Sequence, residues 1–73
     1  MFYTIMTTRD VQGDQSVDLN KNGNQYNVYF SCPSGQVNRD FASHAEALKV
    51  YMRYVECFAE GTYSEQDRMG FLK

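Results

Sequence analysis

Cysteine, histidine and proline are scarce in this sequence of 73 residues, which contains two cysteines, one histidine, one proline and no tryptophan. One histidine and two cysteines cannot supply the four ligands of a structural zinc site, so no metal site is expected. The cysteines, Cys32 and Cys57, are too few for the disulfide framework of a small secreted domain. No apolar run is long enough to cross a bilayer, so we expect no membrane contact.

Basic residues are outnumbered, with 7 lysines and arginines against 9 acidic residues and a net charge of −2. Nucleic-acid-binding domains typically have an isoelectric point above about 9 or a basic stripe, whereas the isoelectric point of this chain is about 5.1. Direct nucleic-acid binding is therefore not expected. The first ten residues contain no basic leader followed by a long apolar run, which predicts an intracellular, cytoplasmic protein with reduced thiols.

Four segments alternate apolar and polar residues with the period of a β-strand: residues 2–9, 16–21, 25–31 and 36–41. Strict alternation in the first of them places Tyr3 and Thr7 on one side and Thr4 and Met6 on the other. The Asn22-Gly23 pair predicts a type I′ hairpin between the second and third segments. Residues 32–35, which include the single proline, predict the reverse turn before the fourth segment.

One long helix is predicted over residues 43–61, and both of its ends are encoded. Ser43 and Glu46 form a capping box at the start, and Gly61 supplies the left-handed residue at the end. The charged residues fall in a single stripe roughly 80° wide, which leaves two apolar stripes. The first apolar stripe contains Leu48, Tyr51, Met52, Val55, Phe58 and Ala59. The second contains Val50, Tyr54 and Cys57, joined by Ala47.

This order of elements predicts a single α+β domain over residues 1–73. The expected architecture is an antiparallel sheet of three to four strands with one long helix packed across it (β-β-β-β-α), followed by a short C-terminal tail. Residues 64–67 of the tail have the composition of a short helical turn. A chain of this length buries only about 60% of its unfolded surface, so self-association or a partner protein would add stability.

The second apolar stripe of the helix is the strongest candidate for a binding surface, because the sheet cannot cover two sides of one helix. Two alternatives follow. In the first, the stripe is covered by residues of the tail, namely Tyr63, Met69, Phe71 and Leu72. In the second, the stripe docks onto a second copy of the chain or onto a foreign protein. An exposed apolar patch would be a hazard without a partner. On the second alternative, we predict a protein interface formed by Val50, Tyr51, Tyr54 and Cys57.

Catalytic and cofactor-binding patterns are weak in this chain. Cys32 and His44 are the only nucleophile and base worth pairing, and no Asn or Asp at a recognisable spacing orients them. The glycines are isolated turn residues and match no phosphate-binding loop. The acidic residues are scattered and match no calcium loop. We therefore expect neither an enzyme nor a cofactor.

The outer face of the sheet supports a different hypothesis, a small DNA- or RNA-binding module. Gln25, Asn27 and Tyr29 lie on one face of the third strand and could stack bases, as in sheet-type RNA binders. Arg9, Lys21 and Arg39 are the only cations nearby, so the affinity would be weak.

The strand and turn over residues 26–41, followed by Ala42, Ser43 and the amphipathic helix, resemble small phage-encoded anti-CRISPR inhibitors. Some of these proteins enter a helix through an Arg-Asp-Phe-x-Ser strand end, which residues 39–43 match. The same segment is similar to the arm-type N-terminal domain of phage integrases, whose sheet ends in Phe-x-Ser or Phe-x-Thr. The integrase resemblance implies DNA contact through the sheet.

The inhibitor resemblance implies docking onto a nuclease complex by surface complementarity and without catalysis, and it tolerates an acidic surface. Our leading hypothesis is therefore a non-catalytic protein-binding module that inhibits a host defence complex of the CRISPR type, or a nucleic-acid-processing complex. Its source would be a phage or mobile element, and it would act in the host-cell cytoplasm. The expected partner is a host protein or nuclease complex, with a homodimer as the other alternative.

Overall fold

The computed structural model describes residues 2–73 and contains a four-stranded antiparallel sheet packed against one long helix, with a short second helix. The strands are β1 (Phe2–Arg9), β2 (Ser16–Asn22), β3 (Gln25–Cys32) and β4 (Gly35–Phe41). The helices are α1 (His44–Glu60) and α2 (Glu65–Gly70). The predicted α+β class is confirmed, and the strands lie in the order β1-β2-β3-β4.

Tight turns connect the last three strands. Asn22 pairs with Gln25, so the two-residue loop consists of Gly23 and Asn24. Only Gly23 has a positive φ, at 62°. Glycine at the first central position with a positive φ is the pattern of a type II′ turn, so the predicted hairpin is confirmed but its turn type is not. Cys32 pairs with Gly35 across the next turn.

A β-bulge interrupts the regular alternation of β1. Thr4 pairs with Asn20 while Met6 pairs with Leu19, which leaves Ile5 as the extra residue. The bulge moves all later residues of β1 to the opposite face from the one that strict alternation predicts. Thr7 therefore shares the face of Thr4, and not the face of Tyr3.

The caps of α1 lie at the predicted residues, Ser43 and Gly61, although only the Ser43 half of the capping box is present. The hydroxyl of Ser43 accepts a hydrogen bond from the backbone N–H of Glu46 at 3.1 Å. Gly61 adopts the left-handed conformation with φ at 68° and donates its N–H to the carbonyl of Cys57 at 2.8 Å. Ser64 caps α2 in the same way as Ser43, by accepting the N–H of Asp67 at 3.2 Å.

The core lies between α1 and the inner face of the sheet. Its fully buried side chains are Val17 and Leu19 of β2, Val28 and Phe30 of β3, and Ala47 and Tyr54 of α1. The ring of Tyr54 stacks on that of Phe30 with centroids 4.8 Å apart. The long helix packs mainly on β2, β3 and β4, so β1 extends beyond the area that the helix covers. Neither helix in residues 2–73 is long and apolar enough to span a membrane.

Candidate protein-binding surface

The apolar helix stripe predicted as an interface lies inside the protein. Tyr51, Tyr54 and Cys57 are buried and Val50 is half-buried. Buried side chains cannot reach a partner, so the burial of Tyr51, Tyr54 and Cys57 disfavours the predicted interface in the folded chain, while Val50 remains partly exposed. Tyr51 faces the sheet, where its hydroxyl lies 2.6 Å from that of Thr8.

The tail covers the second stripe, which was the other alternative. The hydroxyl of Tyr54 donates a hydrogen bond to the backbone carbonyl of Arg68 in α2. The ring of Phe71 packs against the ring of Tyr54, with centroids 5.1 Å apart. Above Phe71 lies the guanidinium of Arg53, 3.9 Å from the ring centroid. These contacts close the side of α1 that the sheet leaves open.

Arg68 holds the tail in place, although it is a charged residue that is only 5% exposed. Its guanidinium donates to the carbonyl of Thr62 at 2.7 Å, to the carbonyl of Cys57 at 3.1 Å and to the side chain of Gln15 at 2.6 Å. The last turn of α1 contains no basic residue of its own. Arg68 therefore supplies the positive charge that favours the C-terminal end of α1. The sequence gives no spacing signal for this role.

We expect burial of Tyr54 to make stability depend on alkaline pH. Burial raises the pKa of this hydroxyl above its usual value near 10, because a phenolate charge is disfavoured in apolar surroundings. The unfolded chain therefore releases a proton near pH 10 that the folded chain keeps. The free energy of unfolding should fall by about 1.4 kcal/mol per pH unit above about pH 10, with no effect of this group below about pH 9.

Urea unfolding of the wild type and of Tyr54→Phe across this alkaline range measures the effect. The variant has no ionisable group at this position, so its free energy of unfolding should fall less steeply above about pH 10. Parallel pH profiles for the two proteins would contradict the assignment of the alkaline loss to Tyr54.

The sheet face predicted to stack bases is occupied by a hydrogen-bond network. Asn27 is buried, and its amide nitrogen donates to the side chains of Asp40 at 2.9 Å and Asn38 at 3.1 Å. Its oxygen accepts from Asn20 at 3.2 Å, and Asn20 in turn accepts from Thr4 at 2.8 Å. A row of polar side chains thus crosses all four strands on the face opposite α1.

Little of the predicted base-stacking surface remains available. Gln25 is exposed, but Tyr29 is half-buried and donates its hydroxyl hydrogen bond to Gln36. Asp18 and Asp40 add negative charge on the same face. The burial of Asn27 and the engagement of its amide within the network disfavour the prediction that it contacts a ligand.

The surface that the structure exposes instead is β1. Seven large apolar side chains are exposed among residues 2–73, and four of them lie in this strand. They are Phe2 at 58%, Tyr3 at 50%, Ile5 at 39% and Met6 at 38% exposed. The strand is also an edge of the sheet, so its outward backbone N–H and C=O groups have no neighbouring strand.

The opposite edge of the sheet has a different character. The exposed residues of β4 are polar or charged: Gln36, Asn38, Arg39 and Asp40. Charged side chains on an edge strand discourage pairing with another chain, whereas a long apolar edge invites it. The only charged residue of β1 is Arg9, at its end. Of the two edges, β1 is thus the one without protection.

Other side-chain chemistry is sparse in the described part of the chain. Both cysteines are free and buried. The ring of His44 packs on Tyr26 with centroids 5.1 Å apart, so this histidine makes a packing contact. Residues 2–73 contain no cluster of three or more potential metal ligands and no pocket.

Comparison with protein-family models, curated proteins and solved structures finds no match to this chain. Its class follows from its own structure, as an α+β domain with an antiparallel four-stranded sheet. The feature that distinguishes it is one open, apolar edge.

Proposed function

We propose that the protein is a non-catalytic protein-binding module and that β1 is its binding element. The observation that carries the proposal is the concentration of exposed apolar side chains on an unpaired edge strand. An extended segment of a partner can add to such an edge as a further strand. Main-chain hydrogen bonds then supply affinity, and alternate side chains supply specificity.

Burial of the exposed apolar side chains of β1 would contribute substantially to the free energy of binding. A fully buried aromatic side chain removes about 150–250 Å² from water, so covering the exposed halves of Phe2 and Tyr3 removes about 200 Å². At about 25 cal/mol per Å² this contributes about 5 kcal/mol. Association costs about 4–15 kcal/mol in lost translational and rotational freedom. Binding therefore also requires burial of Ile5 and Met6 and hydrogen bonds to the backbone of β1.

The proposed partner class is a host protein or nuclease complex, and the proposed outcome is inhibition of a host defence or nucleic-acid-processing complex in the cytoplasm. The resemblance to small phage-encoded inhibitors supports this choice. The net charge of −2 favours encounter with a basic surface over an acidic one.

The substitution Ile5→Lys is expected to weaken partner capture at least about 10-fold, because a charge on an edge strand opposes strand addition. The matched control is Gln36→Lys, which adds the same charge to the opposite edge and should leave capture unchanged. The tagged protein is used for affinity capture from the native host, and the captured protein is then purified for titration against both variants. Equal binding by wild type and Ile5→Lys would contradict the role of β1.

A nucleic-acid-binding module remains the competing function. Titration of a random duplex and a random single strand at low and high salt separates the two proposals, because phosphate contacts give a steep salt dependence. We expect no measurable affinity. Tight, salt-sensitive binding that survives Ile5→Lys would favour the nucleic-acid module.

A further inference from the structure

The difference between the two sheet edges limits how copies of this chain can associate. A head-to-tail contact of β1 with β4 would join unlike edges and propagate into an open filament. The polar and charged side chains of β4 disfavour that contact. A contact of β1 with itself uses the same surface on both copies and closes with two-fold symmetry.

The bulge at Ile5 determines which residues of β1 share a face. Phe2, Thr4, Thr7 and Arg9 all project from the face opposite α1, because their partners on β2 are alternate residues. Those partners are Asn22, Asn20, Asp18 and Ser16. Tyr3 and Thr8 project from the inner face, opposite Lys21 and Val17.

This distribution makes β1 complementary to itself. A two-fold axis between Ile5 and Met6 places Phe2 opposite Arg9 of a second antiparallel copy, Thr4 opposite Thr7, and Tyr3 opposite Thr8. Both members of each pair project from the same face, as neighbouring strands require. In a strand without the bulge, the members of each pair would project from opposite faces.

We infer that the partner strand of β1 is β1 of a second copy, paired antiparallel in this register to give a continuous eight-stranded sheet. The inference rests on the proposed role of β1 as a pairing strand, and a host protein that pairs with β1 would compete with the second copy for this edge. Charge supports it, since the two Arg9 side chains lie at opposite ends of the pair. Each guanidinium faces a Phe2 ring, an attractive cation–π arrangement.

The size of this interface predicts a dimer that dissociates on dilution. Two eight-residue strands, each with two half-exposed aromatic rings, bury on the order of 1,000 Å² in total, at the lower limit of specific interfaces. The two polar outer faces would then join into one surface across the axis.

Sedimentation of the purified full chain from about 1 μM to about 1 mM tests the association, since interfaces of this size dissociate in that range. We expect a monomer–dimer equilibrium that Ile5→Lys shifts at least about 10-fold towards monomer, because two lysines meet beside the axis. Gln36→Lys should leave the equilibrium unchanged. Far-ultraviolet circular dichroism checks that both variants are folded.

Cross-linking tests the register without the lysine variant. A chain carrying Thr4→Cys is mixed with one carrying Thr7→Cys in the presence of oxidised glutathione. Two facing thiols are oxidised to a disulfide, and the oxidised glutathione is reduced to two molecules of glutathione. The register predicts a cross-linked pair in the mixture and none from either variant alone, because a disulfide requires Cα atoms within about 7 Å. The two native cysteines are buried, and the wild type is the control for their reaction.

Three results would overturn the inference. They are a monomer at every concentration, a dimer that Ile5→Lys does not weaken, and a dimer that gives no cross-link specific to the mixture. A monomer whose capture of a foreign protein is still lost in Ile5→Lys would retain the proposed function and reject the homodimer. A wild-type protein that neither self-associates nor captures a foreign protein would reject the homodimer and the proposed function together.

Discussion

Replacement of Arg68 by alanine is expected to lower the free energy of unfolding by at least about 4 kcal/mol. The change removes charge-assisted hydrogen bonds to the carbonyls of Thr62 and Cys57 and to Gln15, each worth about 1.5–3 kcal/mol. It also leaves the side-chain oxygen of Gln15 without this donor, whereas the carbonyl of Cys57 keeps the N–H groups of Gly61 and Thr62. A domain of this length has a total stability of roughly 4–11 kcal/mol, so the variant should lose at least about a third of its stability.

Urea denaturation followed by circular dichroism measures the effect of Arg68→Ala. The matched control is Arg39→Ala, because Arg39 is exposed and its guanidinium lies 5.2 Å from the ring of Phe41. An exposed cation–π contact is worth about 0.5–1 kcal/mol. Arg68→Lys keeps the charge but not the branched set of donors, so its stability should lie between wild type and alanine. Equal losses for Arg68→Ala and Arg39→Ala would contradict the role of Arg68 in holding the tail.

Tyr54→Asp is expected to unfold the protein. The side chain of Tyr54 is fully buried and packs on Phe30, Phe58 and Phe71. Loss of a buried aromatic ring costs about 3–5 kcal/mol, and a buried carboxylate without a partner adds several more. The sum reaches the total stability of a domain of this length, roughly 4–11 kcal/mol.

Thermal unfolding and proton NMR dispersion of Tyr54→Asp check this outcome. Tyr54→Phe keeps the ring and loses only the hydrogen bond to Arg68, so it should cost about 1–3 kcal/mol and remain folded. Tyr63→Asp introduces the same charge at an exposed tyrosine with a positive φ and should also remain folded. A folded Tyr54→Asp that loses partner binding would restore the helix stripe as a docking surface.

Features that depend on neighbouring residues could be predicted from the sequence. The four strands, the tight turn at Gly23 and both caps of α1 follow from short-range hydrogen bonding and from hydrophobic period. Ser43 and Gly61 stand where the cap geometry requires them. The bulge at Ile5 could not be predicted, because it depends on the pairing of β1 with β2 and leaves no residue signature.

The candidate site depended on long-range packing and was therefore largely missed. The periodicity of α1 shows how many of its sides are apolar, but not which segment covers each side. Coverage of Tyr54 by the tail, including Phe71, was one of two alternatives that the sequence left open, whereas nothing in the spacing of Arg68 indicates its contact with Tyr54. The exposure of β1 likewise depends on where α1 lies over the sheet. The burial of Asn27 depends on partners from two other strands.

The order of synthesis gives the tail a further consequence. A ribosome produces the sheet and α1 before α2, so Tyr54 and the end of α1 wait for Arg68 and Phe71 to emerge. Domains generally acquire structure as they leave the ribosome. During that interval the end of α1 lacks the charge of Arg68 and the ring of Tyr54 lacks the cover of Phe71, while the apolar side chains of β1 are also exposed.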